Sequence, residues 1–142
     1  MDNAVRAQLT GTSDRDAEFL SKIAKVIPIL ADLSRADVLV GVPSGGDQIL
    51  IVAHARPHSI APVHRDSLVG QHLAHGDATA LFHALESRQF VRGTRESAPV
   101  VGTSESTPAP VVQEAIPIEN DAGQLIGGML IETNLLENER LK

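Results

Sequence analysis

Near the C-terminus three stretches follow one another: VVQEAIPIE (Val111–Glu119), NDAG (Asn120–Gly123) and QLIGGMLIE (Gln124–Glu132). The outer two are rich in β-branched and aliphatic residues. The middle one is a turn sequence in which Gly123 suits a left-handed residue. Together they read as a β-hairpin. Gly127 and Gly128 lie inside the second strand and predict a bulge or a close backbone contact. After it, Thr133 or Asn134 reads as a helix N-cap, with Glu137 three residues beyond Asn134 as in a capping box. The helix so begun, residues 134–142, has room for about two turns and is marginal in isolation. A helix that starts where a sheet finishes predicts a linker into a further module.

The same signals recur upstream. Val38–Val42 and Gln48–Ala55 are strand-like and flank the turn sequence PSGGD, Pro43–Asp47. Its glycines do not make a phosphate loop, because no Lys follows and the pattern runs into a strand. Ahead of this hairpin a helix starts near Ser13, with Asp14 and Asp16 at its positive end. Phe19, Ile23, Val26 or Ile27, Leu30 and Leu33 form one apolar stripe, which serves either core packing or dimerisation. Pro28 predicts a kink or two successive short helices. Between the hairpins, 56–76 read as loop, Ala78–Ser87 as a short amphipathic helix, and 88–110 as a long irregular stretch. Thr103–Pro110 within it serves as a flexible loop or as a lid over a pocket. The expected fold class is α+β: an antiparallel sheet of five or six strands with flanking helices on one face and one helix at each end. Residues 13–133 form the expected domain, between a flexible 1–12 and the start of a linker helix at 134–142.

Composition narrows the function. The chain's 142 residues suffice for one core and are too few for two ordinary domains. With three Phe, no Trp and no Tyr, that core must be aliphatic. A net charge of −6 repels nucleic acid and anionic lipid, and there are no aromatic platforms for stacking bases. The absence of Cys excludes disulfides, Cys-ligated zinc, iron–sulfur clusters and thiol nucleophiles. No apolar run approaches the ~18 residues of a membrane span. The N-terminus lacks the apolar core of a signal peptide, so the expected location is cytoplasmic.

The element order, helix, hairpin, loop and helix, loop, hairpin, outgoing helix, is that of PAS and GAF sensor domains. Several segments sharpen the likeness: Ala31-Asp32-Leu33-Ser34, Ala36-Asp37, Ala55-Arg56-Pro57, Asp66-Ser67-Leu68-Val69-Gly70, Ala84-Leu85, Val91-Arg92-Gly93, Ile116-Pro117-Ile118, Gly123-Gln124-Leu125-Ile126-Gly127 and Ile131-Glu132-Thr133-Asn134-Leu135. With these, the chain resembles the N-terminal GAF-like sensor domain of soluble two-component histidine kinases, over residues 18–137. The resemblance implies a PAS domain and a kinase core downstream in the same chain, and a signal passed to them through the C-terminal helix. Paired exit helices would transmit best, so a homodimer is expected.

Candidate chemistry is sparse. His64-Arg65-Asp66 imitates a kinase catalytic triplet, but its glycine loop and metal-binding partner motif are missing. No Ser sits in a nucleophile elbow, and an enzyme is not expected. All six His fall between positions 54 and 83. The spacings of His54 with His58 and of His72 with His75 would suit a shared metal only on a regular element, and most of these residues fall on loops. Surface or capping roles are the bland alternative; a histidine-based metal-binding domain and pH sensing are the sharper ones. Arg56 leaves a strand and is directed by Pro57. It either reaches over the sheet to an anionic ligand or caps loop carbonyls, and Arg92 before Gly93 has the same two readings. Arg56, His58, His64 and Arg92 are therefore the candidate ligand-binding residues. The expected partner is a small molecule, with neither nucleic acid nor membrane insertion, and nothing in the sequence names a cofactor. A domain that only dimerises or scaffolds is the rival reading.

Overall fold

The computed structural model describes residues 1–97 and 109–135. Six strands form one antiparallel sheet in the order β3-β2-β1-β6-β5-β4: β1 Asp37–Pro43, β2 Gln48–Ala55, β3 His72–Ala74, β4 Val91–Ser97, β5 Ala109–Glu119 and β6 Leu125–Asn134. The helices are α1 Asn3–Arg6, α2 Asp14–Ser34 and α3 Thr79–Ser87, with a 3-10 turn at His75–Asp77 before α3. The fold class is thus α+β, with the sixth strand present.

The central helix α2 starts where its cap requires. Ser13 Oγ accepts the Asp16 N–H at 3.1 Å, and Asp14 and Asp16 complement the helix dipole. Pro28 neither breaks the helix nor divides it. An interior Pro costs about 3 kcal/mol. Here Leu20, Ile27 and Ala31 are buried on both sides of it and hold the helix to the sheet as one element. Residues 1–12, expected to fray, carry the short α1, capped by Asp2, and Val5 is buried in the same core.

The sheet is covered on both faces, not on one as the sequence predicts, because β1 and β2 carry aliphatic residues at inward positions on each side. Val38, Val40, Val42, Leu50 and Val52 face α2, whereas Leu39, Ile49, Ile51, Ala115 and Leu130 face α3. The core is aliphatic on both sides except for Phe82. Gly127 and Gly128 make the close approach their sequence predicts. A Cβ on Gly127 would lie 2.7 Å from the Gly41 carbonyl oxygen, and one on Gly128 would lie 2.6 Å from Leu81 Cδ1. At the hairpin turn, Gly123 has φ +76° and Asn120 Oδ1 accepts the N–H groups of Ala122 and Gln124.

Three stretches differ from the sequence reading. His72–Ala74 form an edge strand inside the expected loop, and Val91–Ser97 form the other edge inside the expected irregular stretch. β6 runs two residues beyond Glu132, through Thr133 and Asn134, which pair with Val112 and Val111, and Leu135 directly after it is helical, as an N-cap at Asn134 predicts. The expected helical residues 136–142, and most of the Thr103–Pro110 stretch, lie outside the described residues. Among the described residues no helix is long and apolar enough to cross a membrane.

Candidate functional site

On the α3 face, the inward positions change character along each strand. β1 presents Leu39 and then Asp37, β5 presents Ala115 and then Gln113, and β6 presents Leu130 and then Glu132. The pairings Asp37↔Glu132 and Gln113↔Glu132 put the three polar residues side by side on adjacent strands. Each is at most 2% exposed. A fourth comes from β2 through a bulge. Opposite Val40 and Gly41, β2 offers Ala53 and Ile51 with Val52 between them, and the extra residue reverses the alternation. His54 is thereby turned onto the face of Asp37, with its side chain 0% exposed.

The loop after β2 closes over this row. Asp37 accepts the backbone N–H of Val63 at 2.7 Å and of His64 at 3.3 Å, and its Oδ2 lies 2.8 Å from His54 Nε2. The Leu68 N–H points at His54 Nδ1, 3.1 Å away. Because an amide can only donate, Nδ1 must hold the lone pair, and Nε2 carries the proton that is donated to Asp37. His54 is therefore a fixed structural donor between strand and loop.

Glu132 is the hub of the cluster. Its Oε2 accepts Arg95 Nε at 2.6 Å and Gln113 Nε2 at 3.0 Å, while His64 Nε2 donates to Oε1. Burial alone would raise this carboxyl's pKa. The hydrogen bonds from His64 and Arg95, and the Arg95 charge, more than offset it and leave the value at about 2. The carboxylate thus stays ionised at neutral pH, and its partners are a guanidinium, an amide and an imidazole. His64 and Arg95, with side chains 22% and 23% exposed, are where solvent reaches the cluster. Chemically the arrangement holds the covering loop to the strands. His54 has both nitrogens engaged, and Glu132 has no proton to give at neutral pH.

Of the four residues singled out in the sequence, the structure brings His64 into this cluster and leaves the others outside. Arg56 is exposed and donates to the Arg65 carbonyl within the covering loop. His58 is exposed beside α2, where its backbone N–H and ring meet Asp32 and hold that carboxyl below its ordinary range. Arg56 and His58 share a surface groove of about 400 Å³ with Pro28, Pro57 and Pro62. Arg92 is exposed on β4, while Arg95, three residues on, reaches over β5 to the cluster. Asp37, Arg95, Gln113 and Glu132 escaped the sequence reading. Their signal is a polar residue at an inward position next to a buried aliphatic one, legible only once the register is known. A cleft of about 690 Å³ opens at the far end of the sheet, among Thr10, Ser44, Gly45 and Gln124, away from all of these charged groups. Among the described residues no group of three or more His, Asp or Glu is placed to hold a metal ion.

A family model described as the GAF domain of the histidine kinase PdtaS matches residues 3–142. The chain belongs to this family of GAF sensor domains. No curated protein matches it. Among solved structures, the GAF domain is similar to the C-terminal domain of a putative transcriptional regulator from Vibrio cholerae. That likeness has a TM-score of 0.53 at 14% identity and covers 91% of this chain and 88% of the other. The inducer-binding domain of the PobR transcription factor from Acinetobacter, in complex with 3-hydroxybenzoic acid, is similar at TM-score 0.51 and 13% identity, covering 82% and 83%. A PAS domain from Colwellia psychrerythraea is similar at TM-score 0.50 and 13% identity, covering 82% and 96%. At these identities the likenesses establish the fold alone.

Proposed function

We propose that this GAF domain is the non-catalytic input domain of a histidine kinase, with PAS and kinase domains in the same chain. In this reading it senses a small molecule at the polar end of the α3 face and hands the change on through the chain that follows β6. One observation carries the proposal: the hub of the buried cluster, Glu132, stands two residues before the end of β6 at Asn134. Anything that displaces His64 from Glu132 acts at the root of the exit from the sheet. A ligand that takes the loop's place must supply donors to two carboxylates, which favours a molecule with several N–H or O–H groups. His64 is the residue it displaces, and Arg56 governs how readily the loop lifts, through its bond to the Arg65 carbonyl. His58 and Arg92 are peripheral contacts at most. The PobR domain, with 3-hydroxybenzoic acid bound, supports the idea that this fold accommodates a small ligand.

A second reading has its own support. Among the described residues every buried side-chain nitrogen and oxygen has a partner, so the cluster is complete without a ligand. A pure scaffold would look like this too. Native mass spectrometry of the protein purified from cells separates the two. Sensing predicts a small-molecule adduct on the wild type that is lost in Glu132→Gln. An adduct-free wild type, with kinase activity of the full-length protein unchanged by His64→Ala, favours the scaffold.

A further inference from the structure

The α2 helix has two apolar stripes, and its own domain uses one. Ala17, Leu20, Ile27 and Ala31 are buried against the sheet. On the outer side Val26 is 59%, Ile29 63% and Leu33 80% exposed. Phe19, Val26 and Leu33 recur every seven residues, with Lys22 and Ile29 at the intermediate positions. This is the spacing of a coiled-coil seam on a helix whose core side is already occupied, although Phe19, at its first position, also packs against that core. Beside the seam, Ile23, Val26, Leu30 and Met129 line a groove of about 290 Å³ that carries the apolar surface from α2 onto β6. There Ile116, paired with Met129 across β5 and β6, is itself 39% exposed.

We infer that a second copy of this chain covers the seam, with the two α2 helices packed antiparallel. Charge selects the occupant and its direction. In a parallel pair Lys22 lies at the interface against the partner's Lys22, two desolvated ammonium groups face to face. In an antiparallel pair Val26 packs on the partner's Ile29, and the aliphatic stem of Lys22 packs on the partner's Leu33. On one flank Lys25 then meets the partner's Asp32, twice by symmetry. On the other flank Ile23 meets the partner's Leu30. Asp32 already accepts from His58, yet its side chain is 45% exposed and has room for a second donor. The interface is isologous, as a two-fold dimer requires, and it does not depend on whether a ligand occupies the polar cluster.

The chain has no Cys, so single cysteines report the geometry without background. In the antiparallel pair Leu33 and the partner's Leu33 are about 11 residues apart along the helices, roughly 16 Å, too far for a disulfide. Under mild oxidation Leu33→Cys alone and Lys22→Cys alone should stay uncrosslinked, and a mixture of the two should yield the mixed disulfide dimer. In sedimentation the wild type should be a dimer. Ile29→Glu should be a monomer with unchanged far-UV circular dichroism, because its side chain makes little contact within the domain. A monomeric wild type would overturn the inference. So would self-linked Leu33→Cys dimers, which require a parallel pair, or an Ile29→Glu variant that still dimerises.

Discussion

Glu132 concentrates the electrostatics of the domain in one carboxylate. Its pKa of about 2 in the folded state lies below the ordinary 4.5. The stability it contributes is therefore fully present above about pH 4.5 and is lost as pH falls toward 2. A difference of this size is worth about 3 kcal/mol, so urea midpoints measured from pH 5 down to pH 2 should fall steadily. Arg95→Ala should move that acid limb to higher pH, because only His64 and Gln113 then hold the ionised form. A wild-type midpoint that does not change between pH 5 and pH 2.5 would remove Glu132 from this role. Replacing Glu132 by Ala should cost about 3 kcal/mol, since it removes the buried carboxylate to which Arg95 Nε and Gln113 Nε2 donate. Gly123 is a different case. Its φ of +76° has open space around the missing Cβ, so Gly123→Val acts through the backbone alone. The expected loss of about 1–2 kcal/mol would appear as a lower urea midpoint at constant slope.

At the level of elements, the strands divide by how much their neighbours ask of them. β1, β2, β5 and β6 carry runs of Val, Ile and Leu because each has a helix-covered face, and those runs are what made both hairpins legible. β3 and β4 are the edges. His72–Ala74 and Val91–Ser97 contribute few inward aliphatic side chains, and their pairing with β2 and β5 comes from the neighbour's free backbone groups. Propensity within the segment could not have announced them. At Pro28, likewise, the local cost did not divide α2, because burial on either side of it outweighed that cost. The glycines of β6 give a test of element packing. Gly127→Ala would drive a Cβ against the fixed backbone oxygen of Gly41, at 2.7 Å. Gly128→Ala meets the ends of Leu81 and Leu85, which can turn aside. Gly127→Ala should therefore cost about 3 kcal/mol and Gly128→Ala about 1, and chemical denaturation of the two variants ranks them. The reverse order would mean that α3, rather than the β1–β6 contact, is the rigid partner of this strand.

Across the whole molecule, the two cores are the two sides of one sheet. Val38 and Val40 serve α2 while Leu39 between them serves α3, so the two layers share β1. The polar cluster adds a tie that crosses the chain, from Asp37 and His54 through His64 and Arg95 to Gln113 and Glu132. This was the least legible part of the protein. Each member is one polar residue in an otherwise ordinary segment, and His54 reaches the cluster only because a bulge reverses its strand. Pattern reading assigns faces strand by strand, whereas the cluster is a property of the register between strands. The hairpin turn is tied in as well, through Asn120 to Asp16 and Arg15 to Asp121. Such mutual dependence predicts a single unfolding transition despite the two cores. Methyl NMR signals from Leu20 and Val40, on the α2 side, and from Leu81 and Leu130, on the α3 side, should vanish at the same urea concentration as the far-UV circular dichroism. Loss of the α3 signals first, with α2 signals intact, would show that the α3 layer opens as a separate unit. It would also place the polar cluster in the least stable part of the domain.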